Sequence, residues 1–432
     1  MSDTIFALSS GAPPAALAVM RISGPNAFAA IRALTGGATP PPRRASLRRL
    51  RDPVSGEQID HALTILFPGP ATATGENLAE LHLHGSRAVV RRIEAVLAEQ
   101  PGLRPAQPGE FTRRALESGR IDLTEAEGLA DLLAAETEGQ RRAALRAAEG
   151  HLRQRIEGWN DRLVGLSAMI EAAIDHSDEP DAVDEDGIVA AVRAGAGRLA
   201  AEIATLLAQP PAERLRDGIR VVLAGPPNSG KSTLLNRMVG RDAAIVSPIA
   251  GTTRDRIEAP VVREGIAWLL TDTAGLAEQT NDPIEAIGIA RSRDSVASAD
   301  IVLWLGDDRP ADLGSNVILV HPRVDEPGRE AVPQGRVAVS AHREGGDALL
   351  WQTLVDHART LLPSDDVPAL NQRQRRICGT AHQNLCIAAG AHDSLVIAEE
   401  LRLARSAFDA VTGRSHVEDV LDALFGRFCI GK

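Results

Sequence analysis

Gly225-Pro226-Pro227-Asn228-Ser229-Gly230-Lys231-Ser232 fits the template G-x-x-x-x-G-K-S/T at every fixed position. Two glycines let a backbone wrap an anion so closely that successive N–H groups point inward. Lys231 adds a point charge for the outer phosphates, and the hydroxyl of Ser232 suits a magnesium ion. The helix that follows, Thr233 to Val239, aims the positive end of its dipole at the same phosphates. Before the loop, Ile219-Arg220-Val221-Val222-Leu223-Ala224 is short, apolar and β-branched, the pattern of a buried strand. Strand, glycine loop and helix in that order predict a phosphate-binding site, where an ordinary glycine-rich turn would need neither flank.

Outward from this stretch, residues 218 to about 362 alternate strand and helix, with strands predicted at 219–224, 266–271, 300–306, 316–321 and 336–340. Such alternation implies a mainly parallel sheet with helices on both faces. Residues 122 to 209 change to Ala, Leu, Glu and Arg with apolar positions three and four apart, as in Ala126, Leu129, Ala130 and Leu133, a run of long helices. Asp175 to Asp181 and Asp184-Glu185-Asp186 form an acidic interruption that reads as a solvated loop rather than a metal cluster. After Pro363 the chain turns helical again, through Glu399-Glu400-Leu401-Arg402, nearly to Lys432. Helices on both sides of the α/β segment imply one helical domain interrupted by an insert.

Residues 1 to about 115 mix short β-like runs with helical patches. Strands are predicted at Leu17 to Ile22, His61 to Phe67 and Leu78 to Leu83, with a helix near Ala27 to Leu34, giving a small α+β domain. His82 and His84 have a spacing that can bind metal, but with no third ligand evident a core or surface role is preferred.

The 432-residue length suggests two to four domains, and 44% hydrophobic content is ordinary for a globular protein. A net charge of −11 requires that any nucleic acid meet a local patch. Three cysteines, Cys378, Cys386 and Cys429, are too few and too scattered for a disulfide framework or a four-ligand zinc site, which fits a reducing compartment. The first residues lack the pattern of a signal peptide, and no run of 18 uncharged apolar residues occurs. A cytoplasmic protein with no membrane span is expected.

Further pieces fall in the order a GTPase needs. Asp272-Thr273-Ala274-Gly275 follows a strand, where a carboxylate reaches magnesium through water and a glycine N–H meets the γ-phosphate. Gly251-Thr252-Thr253-Arg254-Asp255 lies between loop and strand, with threonine hydroxyls to complete a metal shell. Ser340-Ala341 ends a late strand, where its backbone can touch a base. GTPases carry Asn-Lys-x-Asp after the fourth of these strands, the Asp accepting two hydrogen bonds from guanine. Here that element reads Pro322-Arg323-Val324-Asp325, so only Asp325 survives.

With Gly251 to Asp255, Asp272 to Leu276 and the final Cys429-Ile430-Gly431-Lys432 in place, the chain resembles the MnmE (TrmE) family of tRNA modification GTPases. The resemblance spans the whole length, since Arg21-Ile22-Ser23-Gly24, Gly75-Glu76, His84-Gly85, Pro108-Gly109-Glu110-Phe111 and Glu399-Glu400-Leu401-Arg402 also look like its motifs. It implies a multidomain α/β plus α fold: an N-terminal folate-binding and dimerisation domain over 1–117, a helical domain in two parts over 118–210 and 367–432, and an inserted P-loop GTPase domain over 211–366. It further implies a cytoplasmic homodimer that joins the flavin-dependent partner MnmG in a heterotetramer or larger assembly and installs an aminomethyl-type group on C5 of the wobble uridine of certain tRNAs. The cofactors so implied are GTP, magnesium, potassium and a tetrahydrofolate derivative in the 5-formyl or 5,10-methylene form, with FAD and NADH entering only through the partner.

Residue by residue, the resemblance assigns GTP binding to Asn228, Ser229, Gly230, Lys231, Ser232 and Thr233, to Ser247, Pro248, Ile249, Ala250, Gly251, Thr252 and Thr253, to Asp272, Thr273, Ala274 and Gly275, and to Asp325, Ser340 and Ala341. Ser232 and Thr253 would hold magnesium; Asn228, Thr252 and the carbonyls of Ser247 and Ile249 would cage potassium, which takes the part of an arginine finger. Glu285 matches the glutamate that orients the attacking water. Arg21, Glu80, Arg120 and Lys432 would hold folate, with Arg120 where the family usually has lysine and Pro248 where it commonly has an acidic residue. Without the family, Glu285 reads as a solvated helix residue, Arg21 and Glu80 as structural, and Cys429 as inert packing.

Two readings from different classes stand beside each other. One is an enzyme in which GTP hydrolysis assembles a tRNA-modifying site; the other is a regulatory GTPase whose nucleotide switches a helical arm between partners. Folate binding separates them. An ATPase is a third reading, raised by the altered Pro322-Arg323-Val324-Asp325 element.

Overall fold

The computed structural model describes residues 3–37, 39–175, 185–240, 258–272, 296–308, 314, 316–364, 367–414, 421, 424–426, 428 and 431. The chain divides into two compact units. The first comprises 1–130, 147–157 and 409–432, and the second 131–146 and 158–408.

In the first unit, β1 (Thr4–Leu8), β2 (Leu17–Ser23), β3 (Ser46–Arg51), β4 (Gln58–Phe67), β5 (Leu78–His84) and β6 (Leu103–Pro105) form one sheet in the order β3-β4-β5-β2-β1-β6. All pairs are antiparallel except β1 with β6. Alternation assigns the two faces. Met20, Ile22, Leu50, Ala62, Leu66, Leu81 and Leu83 point to one side and bury themselves with Ala30, Ile31 and Leu34 of α1 (Ala27–Leu34) and Ile93 and Leu97 of α2 (Arg87–Ala98). Ser86 starts α2 by accepting a hydrogen bond from the Ala88 amide at 3.2 Å. The register puts Leu17, Arg21, Leu47, His61, Leu63, Glu80, His82 and His84 on the opposite face, where Leu17, Leu47 and Leu63 are exposed. α3 (Glu110–Glu117) sends Phe111 to Ile5 and Ala7 on that side. Asp122 and Glu125 open α4 (Leu123–Ala134) reciprocally: the Glu125 amide donates to Asp122 at 2.9 Å and the Asp122 amide to Glu125 at 2.6 Å.

Helices α5 (Glu138–Ala148), α6 (His151–Asp175) and α7 (Glu185–Leu207) follow, as the three- and four-residue apolar spacing predicts. In the second unit, α7 packs along α11 (Gln372–Gly390), so segments on either side of the insert share one helical layer. Asn371 and Gln374 cap α11 with bonds of 2.9 and 3.1 Å. On α12 (Ser394–Thr412), Phe408 stacks on Trp159 with ring centroids 5.7 Å apart.

After α8 (Glu213–Arg216) the insert is a six-stranded sheet of β7 (Ile219–Ala224), β8 (Glu258–Arg263), β9 (Ile266–Asp272), β10 (Ile301–Trp304), β11 (Val317–Pro322) and β12 (Val337–Val339), ordered β12-β11-β10-β7-β9-β8. Among the described residues only the β8–β9 pair is antiparallel. α9 (Lys231–Val239) and α10 (Ala348–Leu361) bury Leu234, Met238, Leu350, Trp351 and Leu354 against the sheet, and Trp268 meets Trp351 edge-on at 5.5 Å. The chain thus has the expected multidomain architecture, with a mainly parallel P-loop sheet set into helical segments. Of the acidic interruption expected as a loop, Asp175 ends α6 and Glu185 and Asp186 open α7, so these three are helical, while 176–184 lie outside the described residues.

Candidate nucleotide site

Leu223 sits beside Asp272 in the β7–β9 register, so the strand that feeds the phosphate loop and the strand that carries the acidic residue end at one edge. A carboxyl-end edge of a parallel sheet is where such folds bind ligands. Gly225 leaves β7 at φ +152°, and a Cβ there would meet Ser229 Oγ at 3.0 Å and the Gly306 amide at 3.3 Å. Gly230 caps α9 at φ +94° with no side chain on the helix end, so the first amides of α9 are left for an anion. Lys231 is buried, and its Nζ donates to the carbonyls of Gly225 at 3.1 Å and Pro226 at 3.0 Å, bending the amine over the loop. Ser229 Oγ is buried without a hydrogen-bond partner among the described residues, an unmatched polar atom inside a phosphate cradle. Ser232 Oγ donates to Asp272 Oδ2 at 2.5 Å. A hydroxyl and a carboxylate so close are a fitting hard-oxygen pair for magnesium.

The base-reading element is also assembled. Pro322 ends β11, and Arg323 turns at φ +63° to bring its guanidinium onto the carbonyl of Asn228. Sequence spacing missed this contact, although a cation in the second place of the element was visible. Arg329 donates to the Pro322 carbonyl at 3.1 Å and Arg336 to the Gly306 carbonyl at 2.7 Å, backbone ties that hold this loop where Pro322 offers no amide side chain. Ser340, just past β12, holds the Asp325 carboxyl below its ordinary value by donating a hydrogen bond. Asp325 Oδ1 has no partner among the described residues, an acceptor ready for a base. Of the predicted nucleotide residues, Asn228 to Thr233, Asp272, Asp325, Ser340 and Ala341 are thus gathered at one edge. Ser247, Pro248, Ile249, Ala250, Gly251, Thr252, Thr253, Thr273, Ala274, Gly275 and Glu285 lie outside the described residues.

In the first unit, Arg21 Nη2 pairs with Glu80 Oε1 at 2.9 Å on the open sheet face and lies 5.9 Å over the Phe111 ring. Arg120 Nε donates to the Thr72 carbonyl at 3.1 Å. Gly431 accepts from Ser9 Oγ at 2.6 Å, which fixes the residue before Lys432 against the end of β1; Lys432 itself and Cys429 lie outside the described residues. His82 and His84 do not converge: His82 meets Glu80 at 3.4 Å and His84 Nδ1 meets the buried Asp60 at 2.7 Å. A cleft of about 520 Å³ is lined by Asp3, Glu76, Arg104, Glu110 and Arg114 among others, charges that largely neutralise one another.

The family profile described as "MnmE helical domain" matches residues 123–429, and that described as "GTP-binding protein TrmE N-terminus" matches 4–120. The tRNA modification GTPase MnmE of Rhizorhabdus wittichii is 55% identical over 432 residues, covering 100% of this chain and 97% of that one. The chain belongs to the MnmE family. MnmE of Erythrobacter litoralis is 52% identical over 430 residues, covering 100% of both chains, and MnmE of Zymomonas mobilis 48% over 433 residues, covering 99% of this chain and 100% of that one. This MnmE family member is a GTP hydrolase of tRNA modification. No helix among the described residues is long and apolar enough to cross a membrane.

Proposed function

We propose that this GTPase is activated by potassium and, as a cytoplasmic homodimer working with MnmG, modifies C5 of the wobble uridine of certain tRNAs with a folate one-carbon unit. The observation that carries the nucleotide chemistry is the 2.5 Å contact of Ser232 with Asp272 at the mouth of the phosphate loop. On binding GTP, the Lys231 amine would transfer its donated hydrogen bonds from the loop carbonyls to the β- and γ-phosphate oxygens, and the first amides of α9 would receive the same charge. Ser232 and Thr253 would hold magnesium, with Asp272 behind them. Glu285 would orient a water for in-line attack on the γ-phosphorus, breaking the bond to GDP. Asn228 is exposed at φ +58° while its own carbonyl is held by Arg323, which favours an amide side chain turned outward to a cation. Asn228 and Thr252, with the Ser247 and Ile249 carbonyls, would hold potassium, whose positive charge would offset the charge of the transferring phosphoryl group.

Support for folate comes from Arg21, Glu80 and the seat of Gly431 at the end of β1. Arg21, Arg120 and Lys432 are cations for the carboxylates of a folate, and Glu80 is an acceptor for pterin N–H groups. Pairing of two copies through the N-terminal domain is part of the same reading. The expected domain boundaries, 1–117, 118–210, 211–366 and 367–432, form part of the same proposal.

The test is hydrolysis of GTP and ATP by the purified chain in potassium and in sodium at equal ionic strength, together with Glu285→Ala. Potassium-selective GTP turnover, abolished in the variant while GTP still binds, is expected. Cation-independent or ATP-preferring turnover would overturn the potassium cage.

A further inference from the structure

The chain carries a net charge of −11, yet five arginines fall within nine residues at one edge of its first sheet: Arg43, Arg44, Arg48, Arg49 and Arg51. Asp3 is the only acidic residue before Asp52. Among the described residues β3 is a terminal strand of the sheet and pairs with β4 alone, which leaves its other edge without a strand partner there. Alternation turns Arg49 to the open face with Leu47 and sends Arg48 to the other, so cations flank the edge on both sides, and Arg51 follows a register shift at the end of the strand. All but the half-buried Arg48 are exposed.

Elsewhere in this unit several guanidinium groups are matched with carboxylates, although Arg87 and Arg120 meet backbone carbonyls. Arg92 meets Asp52, Arg104 meets Glu110, and Arg114 meets Glu76. Among the described residues, none of the five edge arginines has a carboxylate in ion-pair range. Arg43 donates to the Ala71 carbonyl at 2.5 Å, Arg48 to the Leu47 carbonyl at 3.1 Å and Arg51 to the Gly56 carbonyl at 3.1 Å, while Arg48 Nε is buried without a partner. Three of these like charges lie on β3 and two in the turn just before it, and they repel one another, an arrangement that a regularly spaced polyanion relieves. Arginine also suits phosphate through its forked donors.

We propose that the β3 edge, through Arg43, Arg44, Arg48, Arg49 and Arg51, is a docking strip for the phosphate backbone of a tRNA. The proposal rests on the family's work on tRNA and adds where an acidic chain meets an acidic polymer. Contacts of this kind position an RNA without reading its sequence.

The test is binding of a fluorescent, unmodified tRNA transcript to the full chain across a salt series. The chain is compared with a variant carrying Arg44→Ser, Arg49→Ser and Arg51→Ser. A control carrying Arg359→Ser, Arg402→Ser and Arg405→Ser removes the same charge from exposed helix positions. Affinity of the edge variant is expected to fall about tenfold or more, and its salt slope by about 2, since each phosphate that is no longer neutralised lowers the slope by roughly 0.7 to 0.9. Basal GTP hydrolysis should remain, showing that the variant is folded. An unchanged affinity and slope, or an equal weakening in the control, would overturn the strip while leaving tRNA binding intact. Absence of tRNA binding by the parent chain would overturn both. Failure of the edge variant to bind anionic vesicles that the parent binds, with tRNA binding kept, would assign the edge to a membrane surface and overturn the RNA proposal.

Discussion

The guanidinium of Arg323 donates to the backbone carbonyl of Asn228, tying the loop that reads the base to the loop that holds the phosphates. Both residues have positive φ, +63° and +58°, a costly backbone conformation that the contact helps to hold. Arg323→Ala is expected to weaken GTP binding about tenfold, the effect of removing one charge-assisted hydrogen bond, while Arg323→Lys restores most of it. Fluorescent GTP titration measures this, and identical affinities for all three proteins would reduce the contact to surface decoration.

Asp325 presents an unpartnered oxygen beside Ser340 at the edge of the same site. Guanine offers two donors there, whereas xanthine replaces one of them with an acceptor. Asp325→Asn exchanges one carboxylate oxygen for an N–H donor, so GTP turnover efficiency is expected to fall on the order of 10- to 100-fold while that of XTP rises. If the variant kept its preference for GTP, base recognition would belong to other groups.

In the first unit, Glu110 is the hub of an ion network, accepting from Arg104 at 2.6 and 2.8 Å, from the Gln107 amide at 2.9 Å and from Arg114 at 3.1 Å. Burial pushes its carboxyl up, but these bonds outweigh burial and leave it below the ordinary 4.5. The folded chain therefore binds this proton less readily than the unfolded one. The resulting stability is present above about pH 4.5 and drains away as the pH falls through the lowered folded value. Glu110→Gln is expected to cost about 1–3 kcal/mol at pH 7 and to flatten the decline toward pH 3, read as urea midpoints across that range. A variant as steeply acid-sensitive as the parent would place the sensitivity elsewhere.

Regular elements with strong apolar patterns were legible from residues alone. The strand predicted at 219–224 has those bounds, and the helix predicted near 27–34 spans Ala27–Leu34. β3 escaped because Ser-Leu-Arg-Arg-Leu-Arg has two apolar residues in six, and an edge strand open on one side needs no more. β1 and β8 were missed as well, β8 carrying Glu258, Pro260 and Arg263 on an edge where proline and charge cost little. At the site, Gly225, Lys231 and Ser232 follow from a template because phosphate chemistry fixes their spacing. Arg323 does not, since its role depends on a positive φ and on two loops far apart in sequence meeting in space.

Two cysteines on α11 differ in environment, and their chemistry should differ in step. Cys378 is fully buried, and burial pushes its thiol up to about 12 against the opposing pull of Arg373; Cys386 is exposed, 3.6 Å from His382 Nε2. At pH 8 the thiolate fraction of Cys378 is on the order of 10⁻⁴, and no reagent reaches it without opening the packing of α11 against α7. Iodoacetamide at pH 8 is therefore expected to label Cys386 within minutes and Cys378 only on the timescale of local opening, as peptide mass mapping would record. Cys386→Ser should remove the fast phase contributed by that peptide without exposing Cys378, whereas prompt labelling of Cys378 would mean that the α7–α11 layer opens readily in the native chain.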